Sequence, residues 1–313
     1  MYDKIKLWGD RAIIGEQYQN IANYLDNAKQ ETNLQTGEVK IFGGLEGLKV
    51  SIFGSGLSIV GSLPKYFLGS NVYSLDRKST KQAIEKIEDT LHISLGQTLV
   101  TGVEFGMTFM MLNQVSDYLS RLGYMPRLNR YLFNTSTLYY KGTGRKQSKV
   151  YAFYDKLAEA KSKGLEYPND LSDKNLLRFE MRLNGRLAKQ LKNNITASTL
   201  YDIGFYRMMI KLYQDSYYSI SKNHQIKADC MSEIKKVSDA YDMFVARLIS
   251  QTDQAQISDF LDELKEAGVF SDRKYYSRLR NKIKEVATKA NISISDELIK
   301  ELDDDIKNCG AYV

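Results

Sequence analysis

Apolar residues alternate with polar or small ones in several stretches of the first two thirds of the chain, a pattern typical of strands that bury one face. The clearest stretch is Leu99–Leu112, where the odd-numbered positions are apolar apart from Thr101. Leu176–Leu183 alternates in the same way. We expect further strands at residues 3–8, at 39–42, 48–53 and 57–60 as an antiparallel meander, and at 124–133 and 135–141.

Apolar residues at helical spacing predict a helix at Glu16–Lys29, a second that Ser79 caps, and a third at Gln114–Leu122. From Thr196 onward the strand pattern vanishes and only helical spacing remains. The helices expected there cover about residues 197–221, 231–250, 256–267, 272–289 and 294–308.

Together these patterns predict an α+β fold, an antiparallel sheet with packed helices followed by an all-helical C-terminal region. The 313 residues, of which 43% are hydrophobic and 26% charged, suffice for a sizeable core and two domains. We expect a first domain at residues 1–195 and a helical domain at residues 196–313.

The composition excludes several classes of protein. No apolar run approaches the length of a membrane span, and the N-terminus lacks the apolar core of a signal peptide. Cys230 and Cys309, the two cysteines, build neither a disulfide framework nor a four-ligand zinc site. His92 and His224 lie far apart, each without a histidine at metal-ligand spacing. We therefore expect a cytoplasmic protein without a membrane partner.

The positive charge is concentrated in one part of the chain. The whole chain carries a net charge of +6, but residues 121–195 alone hold 16 lysines and arginines against 6 acidic residues. A local positive field of this kind favours a polyanionic partner such as nucleic acid. The alternative is a basic face that is only solvated.

The segment Lys149–Lys156 lies inside this basic region and is expected to be a strand that ends where a helix begins. A basic turn precedes it, in which Arg145 and Lys146 either meet phosphates or solvate the turn. On the strand of residues 176–183, Arg178, Glu180 and Arg182 share one face. Such a row is either a surface ion-pair ladder or a carboxylate beside two phosphate-binding guanidiniums.

These residues permit a phosphodiester cleavage by tyrosine. A tyrosine has an unperturbed pKa of about 10 and needs activation at neutral pH. A hard divalent cation held by glutamate oxygens polarises a phosphate, and a lysine such as Lys156 stabilises the developing charge. Glu104 stands between Gly102 and Gly106, which indicates that something approaches the sheet closely there. With 22 tyrosines in the chain, spacing alone does not select Tyr154.

The chain nevertheless resembles the phage and plasmid replication initiators of the gene II/X type, and more distantly the staphylococcal-type rolling-circle plasmid initiators. The resemblance spans about residues 38–192. It rests on four motifs in a familiar order, Gly61–Asn71, Val103–Phe109, Val150–Lys156 and Leu177–Leu183.

The resemblance implies a fold of the HUH-endonuclease kind and nicking at a replication origin through a 5′-phosphotyrosyl intermediate with a free 3′ hydroxyl. Tyr154 would be the nucleophile, assisted by Lys156, and Glu104 and Glu180 would hold Mg²⁺ or Mn²⁺. The DNA partner would be a replication origin in single-stranded or hairpin form. A host helicase and a polymerase would be further partners, and the protein could form a homodimer. The location would be the bacterial cytoplasm. The helices after residue 195 would bind DNA, dimerise or contact the helicase. The residues expected to contact DNA are Lys65, Arg145, Lys146, Lys149, Arg178 and Arg182.

The chain also departs from the family pattern. Glu104 replaces the more usual aspartate, the preceding basic residue is missing, and no histidine-hydrophobic-histidine pair exists. The metal site would be carboxylate-based or incomplete. Tyr151 is a rival nucleophile, on the opposite strand face from Tyr154. The alternative functions are therefore a catalytically inactive, sequence-specific DNA-binding protein on the same scaffold, or an unrelated structural or interaction protein.

Overall fold

The structure is a computed structural model, which describes residues 1–144, 147–164, 171–185, 187–222, 234–252, 254–293 and 297–312. Its centre is a ten-stranded sheet with the order β2-β3-β4-β5-β1-β6-β10-β9-β8-β7, in which every pairing is antiparallel. The strands are β1 (Tyr2–Asp10), β2 (Asp26–Thr32), β3 (Val39–Leu45), β4 (Leu48–Ile52), β5 (Gly56–Ser62), β6 (Leu99–Met111), β7 (Asn129–Phe133), β8 (Thr137–Lys141), β9 (Lys149–Asp155) and β10 (Asn175–Asn184).

Helices pack against this sheet, and the elements described after β10 are all helices, so the predicted α+β fold is confirmed. The α-helices described before residue 219 are α1 (Arg11–Ile14), α2 (Leu63–Leu68), α3 (Arg77–Leu91), α4 (Val115–Arg121), α5 (Lys156–Ser162), α6 (Leu187–Leu191) and α7 (Ile203–Tyr218). The later described α-helices are α8 (Val237–Gln251), α9 (Gln254–Glu266), α10 (Arg273–Ser293) and α11 (Glu297–Asn308). Short 3-10 helices lie at Glu16–Tyr24, Ser198–Tyr201 and Cys309–Tyr312. None of the described helices is long and apolar enough to span a membrane.

One face of the sheet carries the main core. The alternation of β6 and β10 turns Phe105 and Phe179 toward this face, where both are fully buried. Phe179 stacks on Phe153 of β9 with ring centroids 4.1 Å apart and on Tyr213 of α7 at 4.3 Å. The other face carries most of the polar and charged side chains of the sheet together with a few apolar ones such as Trp8 and Leu176, and we call it the polar face.

The core does not end at residue 195. Tyr206, Tyr213 and Tyr217 of α7 are fully buried in the same cluster as the sheet residues, and so are Leu302 and Ile306 of α11. Helix α10 instead contacts α8 and α9. Part of the predicted helical domain therefore shares the core of the sheet, and the function expected of that domain stays a prediction.

Local differences from the sequence prediction have clear causes. The helix expected at Glu16–Lys29 is a 3-10 helix that ends at Tyr24, and β2 begins two residues later. Asp76, not Ser79, is the N-cap of α3, since its carboxylate accepts from the backbone of Ser79 in a capping box. Ser79 is the third residue of that helix, where a serine also favours a helix start.

Candidate functional site

The strand register brings the predicted site residues onto the polar face. Tyr154 of β9 pairs with Arg178 of β10, and Arg182 of β10 pairs with Glu104 of β6. Residues directly opposite each other in an antiparallel sheet share a face, as do positions two apart on one strand. Tyr154, Arg178, Glu180, Arg182 and Glu104 therefore form one group, which we call the Glu180 cluster.

Tyr154 lies at one end of this cluster and is 6% exposed. Its hydroxyl donates a hydrogen bond of 2.7 Å to Oε1 of Glu180. Burial and, after it, the negative charge of Glu180 raise the pKa of Tyr154 well above its ordinary value. The resting tyrosine is thus a neutral phenol that is already oriented by a carboxylate.

Glu180 is the centre of the cluster and is 2% exposed. Besides the bond from Tyr154, Oε1 accepts from Nε of Arg178 at 3.0 Å, and Oε2 accepts from both Nε and a terminal nitrogen of Arg182 at 2.9 and 2.7 Å. Burial alone would raise the pKa of Glu180, but the two guanidiniums outweigh it and lower this pKa to about 2. Glu180 is therefore ionised and fully engaged.

Arg178 is completely buried and connects the cluster to the first strand. One terminal nitrogen donates to Oδ2 of Asp3 at 2.7 Å, and the other donates to Oγ1 of Thr108 at 3.1 Å. The hydroxyl of Ser62 donates to the second oxygen of Asp3 at 2.6 Å. These bonds hold Arg178 as a structural cation, so the DNA contact predicted for it requires movement.

Asp3 is a member of the site that the sequence did not reveal. It sits on β1, one strand beyond β6, and only the pairing of β1 with β6 brings it to Arg178. The alternation of residues 3–8 predicts a strand but not its neighbours. An aspartate at the start of an alternating segment was the one signal that the sequence offered.

Glu104 differs from Glu180 in its surroundings. Its side chain is 23% exposed, and the nearest nitrogen of Arg182 lies 4.0 Å from Oε2. Burial raises the pKa of Glu104, and Arg182 offsets this only in part. The close approach predicted at the flanking glycines is made by the protein itself. A Cβ at Gly102 would lie 2.8 Å from Cδ of Lys6, and one at Gly106 would lie 2.4 Å from the carbonyl oxygen of Phe179.

The structure does not join Glu104 and Glu180 into the predicted metal site. Both oxygens of Glu180 accept hydrogen bonds, and Arg182 bridges the two carboxylates. Across the described residues, no group of three or more histidine, cysteine, aspartate or glutamate side chains is placed to hold a metal ion. As they stand, these residues fit an ion-pair network better than an Mg²⁺ or Mn²⁺ site.

The predicted lysines have different positions. Lys156 is 1% exposed, and its ammonium lies 5.7 Å from the ring centre of Tyr154 and 2.9 Å from a carboxylate oxygen of Glu159. Lys149 shares the opposite strand face, with its ammonium 5.9 Å from the ring centre of Tyr151. The structure therefore brings Lys156, but not Lys149, beside Tyr154.

Lys65 lies outside the cluster. It is exposed on the short helix α2. Arg145 and Lys146 lie outside the described residues, and their predicted role in DNA contact stays a prediction.

Tyr151, the rival nucleophile, faces the core. It is 3% exposed and its hydroxyl lies 2.8 Å from Oγ of Ser216 on α7. Tyr151 and Tyr154 therefore lie on opposite faces of β9, as predicted.

Comparisons with known proteins identify the family. No curated protein matches the chain significantly. Among solved structures, a match is the "Structure of Rolling Circle Replication Initiator Protein from Geobacillus stearothermophilus", with 11% identity and a TM-score of 0.40, covering 77% of this chain and 89% of that one. A phage protein-family model, described as the N-terminal part of a replication-associated protein, matches residues 38–204, more than half of the chain. Every member of the Glu180 cluster falls within that match, and the chain therefore belongs to this family of replication-associated proteins, as the resemblance to phage and plasmid replication initiators predicted.

Proposed function

We propose that this replication initiator nicks and rejoins origin DNA, with Tyr154 as the nucleophile. The observation that carries the proposal is the 2.7 Å hydrogen bond from the hydroxyl of Tyr154 to Glu180, next to the guanidinium of Arg182. A phenol, a carboxylate and a phosphate-binding group thus meet on the polar face. Rolling-circle initiators are in general nicking endonucleases that bind origin DNA, which agrees with this arrangement.

The proposed step is a transesterification. The phenolic oxygen of Tyr154 attacks the phosphorus, and the bond from phosphorus to the 3′ oxygen breaks. The 5′ phosphate stays on the tyrosine, the leaving 3′ oxygen takes a proton, and the phenol proton passes to a base. Rejoining is the reverse attack by the 3′ hydroxyl, so the energy of the phosphodiester is conserved.

Glu180 is the base that the geometry favours. A carboxylate whose pKa is about 2 accepts a proton poorly. Arg182, whose side chain is 28% exposed, is the member of the cluster that a DNA phosphate reaches most easily. A phosphate bound there competes with Glu180 for the guanidinium, and this loss of positive charge raises the pKa of Glu180. DNA binding would thereby activate the site.

We also propose that DNA cleavage depends on Mg²⁺ or Mn²⁺, and this is a matter for experiment. Glu104 is the more exposed carboxylate of the cluster, with its closest cation 4.0 Å away. We expect cleavage with either ion and none after chelation with EDTA. The partners predicted beyond DNA, a helicase, a polymerase and a second copy in the bacterial cytoplasm, likewise remain proposals.

The test uses end-labelled single-stranded or hairpin origin DNA and detects a covalent protein–DNA adduct on a denaturing gel. Tyr154→Phe removes only the hydroxyl and is expected to abolish the adduct. Tyr151→Phe is the matched control and should retain it. An adduct that persists in Tyr154→Phe would exclude Tyr154 as the nucleophile.

A catalytically inactive DNA-binding protein is the second candidate. The burial of Tyr154, its raised pKa and the fully engaged Glu180 favour it. This candidate predicts salt-dependent DNA binding without cleavage in Mg²⁺ or Mn²⁺. Adduct formation by the unmodified protein excludes it.

A further inference from the structure

The polar face extends beyond the Glu180 cluster over β1, β5, β4 and β3. The register places Phe42, Ser51, Ser58 and Trp8 in one row directly across these four strands. The row has an aromatic side chain at each end and two small hydroxyl residues between them. All four residues are half-buried, so the row forms a shallow surface with aromatic edges.

Phe53 and Lys40 complete this surface. The rings of Trp8 and Phe53 lie 5.7 Å apart between centroids, inclined at 46°. The ammonium of Lys40 lies 5.3 Å from the ring centre of Phe42 and 5.5 Å from that of Phe53. We call Trp8, Phe42, Phe53 and Lys40 the Trp8 platform.

Gly56 allows the indole to lie flat on the sheet. A Cβ at this position would lie 2.7 Å from Cζ2 of Trp8 and 2.5 Å from the carbonyl oxygen of Gly9. Any side chain at residue 56 would push the indole away from the strand. The glycine therefore lets the indole approach the strand closely, and Trp8 stays half-buried at the surface.

Lysines outnumber acidic residues on the four strands of the platform, although Glu31 of the neighbouring strand β2 pairs directly with Lys40. Lys4, Lys6, Lys40 and Lys49 lie on the polar face of these four strands. Of the acidic residues in the same strands, Asp3 is buried against Arg178 and Asp10 caps helix α1 through a hydrogen bond from Ala12.

We propose that the Trp8 platform is a binding subsite for the bases of single-stranded DNA, separate from the Glu180 cluster. Aromatic faces bind any unpaired base by stacking, and neighbouring lysines bind the backbone phosphates. Duplex DNA does not offer these contacts, since its bases already stack on each other. This inference rests on the proposed function in one respect: the single-stranded DNA bound by the platform is the DNA that Tyr154 cleaves.

The spacing allows one strand of DNA to reach both places. Trp8 on β1 and Tyr154 on β9 are separated by β6 and β10. Three steps between neighbouring strands span about 14 Å across the sheet. Along the strands, nine residues of β6 separate Leu99, which pairs with Trp8, from Thr108, which lies level with Tyr154, and they add about 30 Å. Lys6 lies between them, with its ammonium 2.8 Å from Oδ1 of Asn184 on β10. The platform would therefore hold nucleotides several positions away from the cleaved bond and contribute affinity, not chemistry.

The first test uses the unmodified protein, because Trp8 is its only tryptophan. Selective excitation of tryptophan during titration with a short oligodeoxythymidylate should show quenching that follows the binding curve from fluorescence anisotropy. Binding by anisotropy without any change in Trp8 emission would overturn the proposal. A duplex of equal length should quench much less.

The second test compares variants. Trp8→Leu and Phe42→Leu should each weaken binding of the oligodeoxythymidylate about tenfold, the scale of one lost stacking contact. Tyr24→Leu is the matched control, because Tyr24 is a half-exposed aromatic that packs on His92, 4.9 Å away between ring centres. Circular dichroism identifies any variant that fails to fold. Variants that are folded and bind like the unmodified protein would refute the subsite.

The two proposals fail in different ways. Quenching without any covalent adduct would leave the subsite intact and contradict nicking by Tyr154. An adduct without quenching would leave the nickase intact and contradict the subsite.

Discussion

The carboxylate of Glu180 accepts the hydroxyl hydrogen of Tyr154 at 2.7 Å while it is bound by two arginines. This relationship sets the resting state of the cluster, a neutral phenol beside an ionised carboxylate. It also makes Glu180 the residue on which both the stability of the sheet and the proposed chemistry depend.

Replacement of Glu180 should be strongly destabilising. Glu180→Gln keeps the shape of the side chain but removes the negative charge that compensates the fully buried Arg178. Breaking a buried ion pair by removing one partner typically costs about 3–5 kcal/mol. Urea unfolding at neutral pH measures this change in the free energy of unfolding. A loss below about 1 kcal/mol would mean that Asp3 alone satisfies Arg178.

The stability should also depend on pH through Glu180. Its pKa in the folded protein is about 2, below the ordinary value of 4.5, so the ionised form is stabilised by folding. This contribution is fully present above the pKa of the unfolded chain and is lost as pH falls from about 4.5 toward 2. The difference of the two pKa values corresponds to about 3 kcal/mol.

Comparison with Glu180→Gln isolates this effect from other acidic groups. Urea unfolding of both proteins between about pH 3 and 6 should show a stability gap that narrows toward low pH, because protonation makes the two side chains alike. A gap that stays constant over this range would contradict the lowered pKa of Glu180.

Ionisation of Glu104 should lower the stability of the folded protein, whereas ionisation of Glu180 raises it. Because burial raises its pKa, the folded protein disfavours the ionised carboxylate, and the cost is present above the ordinary pKa of the group. Glu104→Gln should therefore leave the free energy of unfolding at neutral pH unchanged or increase it by up to about 1 kcal/mol. The same variant should lower the rate of adduct formation if the carboxylate has a role in cleavage.

The measurement for Glu104→Gln pairs urea unfolding with the adduct assay. Full activity together with greater stability would show that Glu104 has no part in cleavage. Marked destabilisation would instead show that its interaction with Arg182 outweighs the cost of burial.

Arg182 should contribute a phosphate contact. Arg182→Gln removes one cation from the polar face, which should weaken DNA binding and reduce the slope of log affinity against log salt by about 1. Fluorescence anisotropy at several salt concentrations gives this slope. Lys78→Ala is the control, since Lys78 is exposed on helix α3. An unchanged slope in Arg182→Gln would show that Arg182 acts only within the ion-pair network.

Much of the architecture follows from local patterns. The predicted bounds of β6 and β10 lie within a residue of the observed ones. Side chains of a strand alternate between its two faces with a period of two residues, and this period is visible in any long strand that buries one face. The same alternation correctly separated Tyr151 from Tyr154. The ordered motifs also led to the right family, which no single motif would have indicated.

The sequence by itself determined which side chains share a face along β9, β10 and most of β6, and that the segment around them is basic. At the start of β6 a register shift against β1 exposes Leu99 and buries Val100, which strict alternation does not predict. The tertiary structure alone decided that Asp3 meets Arg178, that Arg182 lies between two glutamates and that α7 and α11 complete the core of the sheet. The reason is physical: face and period are properties of neighbouring residues, whereas pairing between distant strands depends on how the whole chain buries its apolar surface. Burial then raises the pKa of Tyr154, whereas the guanidiniums of Arg178 and Arg182 outweigh burial and lower the pKa of Glu180.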